Sequence, residues 1–429
     1  MKPQVESFLR KHMLDADLIS MDDLCDTFIS EMKAGLAGKA SSLAMIPSFC
    51  SPDARPKAGE SVIVIDAGGT NFRTCMVTFD ENLSPVISDF HKSRMPGIER
   101  EVSASEFFSV IADETERLID LSDRIGFCFS YAAEILPDHD GIPTFFSKEI
   151  KAPQVIGKHL GKELLAEFAR RGHDVSKKRI IILNDTVTTL LAAQAKNAEG
   201  GFDGCVGFIL GTGTNTAYIE KVSNITKLDA SIPRTGSQII NVESGCLDLN
   251  LGDIDRTFLQ STNEPENYKL EKMISGAYLG PLAYRVMSQA VNEGLFSEVF
   301  ASRFAMLKNF TTIELSKFLS EEECDLSRCA SEDEDYDTLI EILGSFIARA
   351  AKLTAANLAA AVLITDFGKD EDHPVLINAD GTTFHMTAFL KNYTTEYLDA
   401  FLSEKGRRAV ITQIENSPII GSAIGALTL

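Results

Sequence analysis

The sequence predicts an α/β fold of two related lobes facing a cleft, and three observations carry that reading. Residues 61–79 set two apolar runs, 62–65 and 72–79, on either side of Asp66-Ala-Gly68-Gly69-Thr70-Asn71. Runs this short, rich in Val and Ile and broken by glycine, form a hairpin rather than a helix. Residues 205–220 repeat the design, with Gly211-Thr212-Gly213-Thr214-Asn215 between two strands, the mark of an internal structural repeat. Around the hairpins strand alternates with helix, the order of an architecture with parallel strands.

Each element has a local cause. Residues 1–47 give two amphipathic helices, with Val5, Phe8, Leu9 and Met13, then Leu24, Phe28, Ile29 and Met32, at helical spacing. A loop holding Pro47, Pro52, Pro56 and Gly59 leads into the first hairpin, and a third strand follows at 85–90. Ser103-Ala-Ser-Glu106 is a capping box that opens the next helix. A strand over 124–131 brings up Ser130, and a loop through Pro137, Asp138 and Gly141 reaches Phe145-Phe-Ser147-Lys148. A helix over 156–171 precedes the buried strand 179–183, which ends in Asn184-Asp185-Thr186 before a helix with Leu190, Leu191 and Ala193.

The second half reads as helices at 270–293, 296–307, 312–319 and 338–365. Residues 321–337 hold nine acids against one Arg and read as a solvated loop without chemistry. A strand at 375–379 meets the turn Asp380-Gly381-Thr382, and the chain closes with 410–414 and 421–427. The small residues of 421–427 are expected to let a helix terminus approach a ligand closely.

Composition narrows the partners. A chain of 429 residues exceeds one ordinary core, so two or three domains are expected. The net charge of −21 argues against nucleic acid or an anionic membrane, while local amides and Mg²⁺ can still hold ATP. Eight cysteines form no C-x-x-C pair, and no secretory signal opens the chain, so reduced thiols in a cytoplasmic protein are expected. The apolar patch 353–364 is too short to span a bilayer. Asp366-Phe367-Gly368 spells the protein-kinase magnesium tripeptide, yet neither H-R-D nor G-x-G-x-x-G accompanies it, and no P-loop is present. The seven histidines form no metal cluster.

Glycines free a turn from Cβ crowding, so several N–H groups can converge on one anion. Asp66, ending a buried strand, would repel that anion unless a cation lay between them. The turn therefore reads as phosphate on backbone amides, Mg²⁺ beside it, and Asp66 holding the metal or its waters. An ordinary hairpin with a Gly-Gly turn is the competing reading. Two such turns on opposing walls would clamp a polyphosphate. Asp185 at a strand end could accept a proton or could simply cap its helix.

Several motifs, in order, resemble the eukaryotic-type hexokinase family. They are Phe28-Ile-Ser-Glu-Met-Lys-Ala-Gly35, the first hairpin turn through Arg73, Asn184-Asp185-Thr186, Gly211-Thr-Gly-Thr-Asn215, Ile240-Asn-Val-Glu243 and Glu271-Lys-Met-Ile-Ser-Gly276-Ala-Tyr-Leu-Gly280. The resemblance spans about residues 25–285. It implies an actin-like, ribonuclease-H-like fold with duplicated mixed-sheet domains around a central cleft. Residues 61–184 plus 411–429 would form the small lobe, and 1–60 plus 185–410 the large one. It also implies ATP-dependent phosphorylation of a hexose 6-hydroxyl, with glucose the expected hexose.

By matching position, Ser130, Ser147, Lys148, Asn184, Asp185, Asn215, Glu243 and Glu271 would surround the sugar, with Asp185 and Lys148 catalytic. The resemblance assigns ATP to Asp66, Gly68, Gly69, Thr70, Asn71, Arg73, Lys92, Gly211, Thr212, Gly213, Thr214, Gly381 and Thr382, with Mg²⁺ at Asp66 through water. Lys148, Glu243 and Glu271 read individually as surface charges; context gives them their roles. Departures ring the pocket: Ser130-Tyr-Ala-Ala replaces Ser-Phe-Pro, Phe145-Phe-Ser147-Lys148 replaces Asn-Trp-Thr-Lys, and Ser244 follows Glu243 in place of Trp. Pro418 interrupts a Gly-rich turn on the nucleotide side. A sugar-sensing protein with weak catalysis, or an actin- or chaperone-type ATPase, are the alternatives. The second lacks the sugar-pocket constellation.

Overall fold

The structure, a computed structural model, describes residues 1–53, 55–69, 71–146, 150–197 and 200–429. Two helices, α1 (Pro3–Lys11) and α2 (Met21–Leu36), precede a short strand, β1 (Ile46–Pro47). The first lobe is built from β2 (Ser61–Ala67), β3 (Asn71–Phe79), β4 (Pro85–Arg94), α3 (Ala104–Thr115) and β5 (Arg124–Phe129). A small hairpin follows, β6 (Ala133–Ile135) with β7 (Gly141–Pro143), then α4 (Leu160–Arg170), β8 (Arg179–Leu183) and α5 (Asp185–Lys196). The second lobe opens with β9 (Gly204–Leu210), β10 (Thr214–Lys221) and β11 (Ser237–Asn241). Helices α6 (Asp253–Gln260), α7 (Lys269–Ile274), α8 (Leu279–Asn292), α9 (Glu298–Phe304), α10 (Thr312–Leu319) and α11 (Asp333–Leu363) come next. The chain closes with β12 (Val375–Asp380), α12 (Thr382–Met386), α13 (Leu390–Glu404), β13 (Ala409–Thr412) and α14 (Ser417–Ala426).

The two sheets share one wiring. The first runs β4-β3-β2-β5-β8, with the hairpin strands antiparallel and β2, β5 and β8 parallel. The second runs β11-β10-β9-β12-β13 in the same sense, with β1 added at the β11 edge. The repeat expected from two hairpins thus extends through five strands of each sheet. Central strands such as Val62–Ile65 within β2 are buried on both faces, which explains their unbroken apolar runs.

Helices α5 and α14 lie between the sheets. One apolar cluster joins Val62, Val64 and Leu183 of the first sheet to Leu190, Leu191, Ile419 and Ala423 of the helices, and to Cys205, Ala217 and Leu376 of the second sheet. The small residues of α14 therefore serve helix packing rather than ligand approach. A Cβ on Gly421 would stand 1.9 Å from the Thr188 carbonyl oxygen of α5. The expected lobe crossing at residue 411 falls inside β13, which pairs with β12 through Thr412.

Several boundaries differ from expectation for identifiable reasons. The helix expected over 270–293 breaks into α7 and α8, because the Gly276 N–H docks on the Gly211 carbonyl at 2.8 Å. The acidic stretch enters α11 at Asp333, where carboxylates favour a helix N-terminus. Within it Asp335 is buried, accepting from the Ser297 N–H at 2.9 Å and hydroxyl at 2.6 Å. Among the described residues α11 is long and apolar enough to cross a bilayer, yet 83% of its apolar window is buried inside the protein.

Candidate active site

The N-terminus of α5 places the central carboxylate. The Asn184 side chain caps the helix by accepting the Thr186 N–H at 2.9 Å, so the capping role falls to Asn184 and not to Asp185. Asp185 occupies the first helical position, half-buried. Its backbone carbonyl accepts the Thr188 and Thr189 hydroxyls at 2.7 and 2.8 Å, which ties its peptide to the first turn.

From the first lobe, Asp66 lies next to last in β2, almost fully buried, and accepts from Arg73 Nη1 at 3.1 Å. Arg73 pairs across the strands with Asp66, and Lys92 with Arg73, so all three share one face of the sheet. Burial, opposed by Arg73 and assisted by the Asp185 charge, leaves the Asp66 carboxyl raised to about 6. Asp185 and Asp66 therefore face the same space. A buried carboxylate with a carboxylate neighbour suits a cation between protein and phosphate, and these residues fit Mg²⁺.

That environment predicts an unusual pH dependence. A folded-state pKa above the ordinary 3.8 gives stability that is present below about pH 4 and lost as pH rises through about 6. The neutral Asp66→Asn variant escapes this loss. Without ligands it is expected to be the more stable protein at pH 7.5, by up to about 3 kcal/mol, with no advantage at pH 4. Thermal melts at the two pH values check this, and a variant melting below the parent at pH 7.5 overturns it. If Asp66 holds Mg²⁺, as the resemblance implies, phosphoryl transfer should fall in the same variant.

The second lobe supplies two more carboxylates. Glu243 sits in left-handed backbone, φ 59°, immediately after β11 and Val242. Asn241 Nδ2 donates to Glu243 Oε1 at 2.8 Å, and Asn215 Nδ2 donates to Asn241 Oδ1 at 2.6 Å. The Asn215 amide is fixed in turn because its Oδ1 accepts the N–H groups of Thr216 and Ser244. Burial raises the Glu243 carboxyl, as do the charges of Asp185 and Glu271. Glu271, on α7, accepts the Thr214 N–H at 2.9 Å.

A chain of neighbours thus runs from the first turn through Asp66, Asp185, Glu243 and Glu271 to the second. Gly213 is needed at that last contact, since a Cβ there would lie 2.4 Å from Glu271 Oε2. The Glu271 side chain can move aside, so Gly213→Ala is expected to leave the melting temperature within about 2 °C. If Glu271 holds a sugar hydroxyl, as the resemblance implies, the substitution should raise the hexose KM about tenfold, the loss of one charge-assisted hydrogen bond. Steady-state kinetics decide it: an unchanged KM removes Glu271 from the sugar site.

The Asp380-Gly381-Thr382 turn abuts the second glycine turn. Gly381, at φ 109°, lies with its Cα 3.8 Å from where a Gly211 Cβ would be, and the Thr383 hydroxyl donates to the Gly211 carbonyl at 2.8 Å. Thr382 itself is exposed, and the hydroxyl that holds the turn is that of Thr383. Ser130 is half-buried beside the first turn, with its N–H on the Ala67 carbonyl at 3.1 Å. Lys92 is exposed on β4. Gly68 donates to the Asn71 carbonyl at 3.1 Å and closes the first hairpin. Thr70, Ser147 and Lys148, assigned to ATP and sugar, lie outside the described residues.

One hexokinase family model matches residues 4–195 and a second matches residues 205–428. The chain belongs to the hexokinase family. Phosphoryl transfer to a hexose is the activity of this enzyme class. Hexokinase-3 of Mus musculus is 30% identical over 83% of this chain and 40% of its own length. Hexokinase-1 of Spinacia oleracea is 26% identical over 95% and 86%, and Hexokinase-7 of Oryza sativa subsp. japonica 27% over 95% and 92%. This chain spans under half of the mouse protein and most of the plant ones. The solved hexokinase from Schistosoma mansoni complexed with glucose matches with a TM-score of 0.78 over 99% of each chain, at 23% identity. A ROK hexokinase from Thermus thermophilus reaches 0.52 over 85% and 97%, at 14% identity. The hexokinase fold, two actin-like mixed-sheet lobes, is shared across this range.

Three site residues escaped the sequence reading. Asn241, which aims Glu243, lies two residues before it, and period-2 geometry at a strand end would have put both on one face. Thr383 lies one residue beyond the Asp380-Gly381-Thr382 turn signal. Tyr131 gives no local signal, because its partners lie 62 and 63 residues away.

Proposed function

We propose that this hexokinase-family chain transfers the γ-phosphoryl group of ATP to the 6-hydroxyl of a hexose, with glucose the first candidate. One observation carries the reading: the Asp185 charge reaches both Asp66 of the first hairpin and Glu243 of the opposite lobe, with the helix cap already supplied by Asn184. A sugar offers hydroxyls and little apolar surface, so carboxylates and amides from both lobes must hold it. Ser130, Asn184, Asn215, Glu243 and Glu271 would do so. Asp185 would accept the 6-hydroxyl proton as that oxygen attacks in line. Mg²⁺, when bound near Asp66, would neutralise phosphate charge. Arg73 and Lys92, in one row across the sheet, add positive charge on the same wall.

The glucose carried by the S. mansoni protein supports a hexose acceptor here. The eight free cysteines, seven of them buried, support a reducing cytoplasm. Phosphoryl transfer asks for positioning and charge neutralisation more than covalent work, which suits a site built of carboxylates, amides and two glycine turns. A coupled ADP-release assay over a hexose panel tests the reading. Hexose-dependent turnover is expected, greatest with glucose. Sugar binding without turnover, or ATP hydrolysis indifferent to sugar, overturns it.

A further inference from the structure

Two consecutive residues of the sugar-side loop hold three consecutive carbonyls of the phosphate turn. The Ser130 N–H donates to Ala67 O at 3.1 Å. The Tyr131 hydroxyl lies 2.9 Å from Gly68 O and 2.8 Å from Gly69 O, sharing its proton between them. The Tyr131 ring is buried and wedged between Phe129 and Phe146, at centroid distances of 5.1 and 5.4 Å, so the hydroxyl cannot swing away. Burial and the charges of Asp185 and Asp66 raise the phenol above its ordinary range, which keeps its proton in place to donate.

We propose that Tyr131 is a positioning residue through which hexose at Ser130 sets the aim of the phosphate turn, so that sugar and nucleotide bind cooperatively. The proposal rests on the reading of function above. Its physics is that of a planar trans peptide, in which C=O and the following N–H point to opposite sides. Fixing the Gly68 carbonyl on the Tyr131 side turns the Gly69 N–H the other way. Glycine has no side chain to hold that plane, so without the hydroxyl the turn samples other orientations. Hexose bound to Ser130 immobilises the loop, the loop immobilises the carbonyls, and the nucleotide meets amides already ordered. By linkage, the nucleotide must tighten hexose by the same factor.

Tyr131→Phe keeps the ring and removes the hydroxyl. Calorimetric titration of the full chain with Mg²⁺ and a non-hydrolysable ATP analogue, with and without saturating glucose, reads the coupling directly. In the parent, glucose is expected to tighten the analogue at least tenfold; in Tyr131→Phe the factor should fall below threefold. Glucose affinity in the absence of nucleotide should stay within twofold, which shows the variant folded with its sugar site intact. The ATP KM should rise while the glucose KM measured at low ATP moves little. A variant that couples the ligands as strongly as the parent overturns the proposal, even if its melting temperature falls, because the hydroxyl would then be structural only. A parent with glucose-dependent turnover but independent binding of the two ligands also overturns it. A parent without glucose-dependent turnover overturns the reading of function beneath it as well.

Discussion

Replacing Asp185 by Asn is expected to lower kcat by about 10³ while the hexose dissociation constant changes by less than about tenfold. The amide keeps the shape of the carboxylate and can still bond a sugar hydroxyl, but it cannot take the proton. The fold should tolerate the change, because the Thr186 N–H is received by Asn184 and the Thr188 and Thr189 hydroxyls by the Asp185 backbone. Loss of the charge has a second consequence. Asp185 raises both Asp66 and Glu243, so each should ionise at lower pH in the variant. The acidic limb of the residual activity should shift downward with them. Residual turnover would report what positioning and charge neutralisation achieve alone. A kcat within tenfold of the parent would move the base elsewhere and leave Asp185 an electrostatic neighbour.

Both hairpins were legible because strand and turn announce themselves locally, in Val62–Ile65 and Gly68-Gly69 or in Val206–Leu210 and Gly211–Gly213. The duplication of two sheets could be anticipated from those turns, but its extent depended on β11, whose five residues carry too weak a pattern to stand out. Asn184 and Asp185 could not be separated in advance, since both residue types favour the cap position. Geometry divided the roles between them. Helix α13 has Leu390, Thr394, Leu398, Phe401 and Leu402 buried at helical spacing, diluted by Asn and Thr at neighbouring positions. What could not be read was pairing across distance. Tyr131 on Gly69 and Glu271 on Thr214 are contacts between segments 62 and 57 residues apart. The small residues after 420 illustrate the same limit: they announced close approach without naming the partner, which is α5 and not a ligand.

Gly421→Ala is expected to destabilise the protein by about 3 kcal/mol or more, while the same substitution at Gly344 stabilises it by about 0.5–1 kcal/mol. Both glycines sit inside helices, so the intrinsic preference of Ala over Gly favours each change equally. Space separates them. Among the described residues a Cβ at Gly344 meets nothing within 4 Å, whereas at Gly421 it would stand 1.9 Å from Thr188 O and 2.6 Å from Thr188 Cα. Those are backbone atoms of a helix clamped between two sheets, and no rotamer relieves the overlap. α14 must move away from α5, opening the apolar cluster that joins the lobes. Denaturant midpoints of the two variants against the parent test the pair, and movement in the same direction would refute the packing argument. The displacement also reaches chemistry. Thr188 donates to the Asp185 carbonyl one turn earlier, so pushing on Thr188 moves the proposed base. A shift near 1 Å can cost about 10²-fold in rate. Folded Gly421→Ala, assayed well below its melting temperature, should therefore lose kcat beyond its unfolded fraction, while Gly344→Ala keeps the parent value.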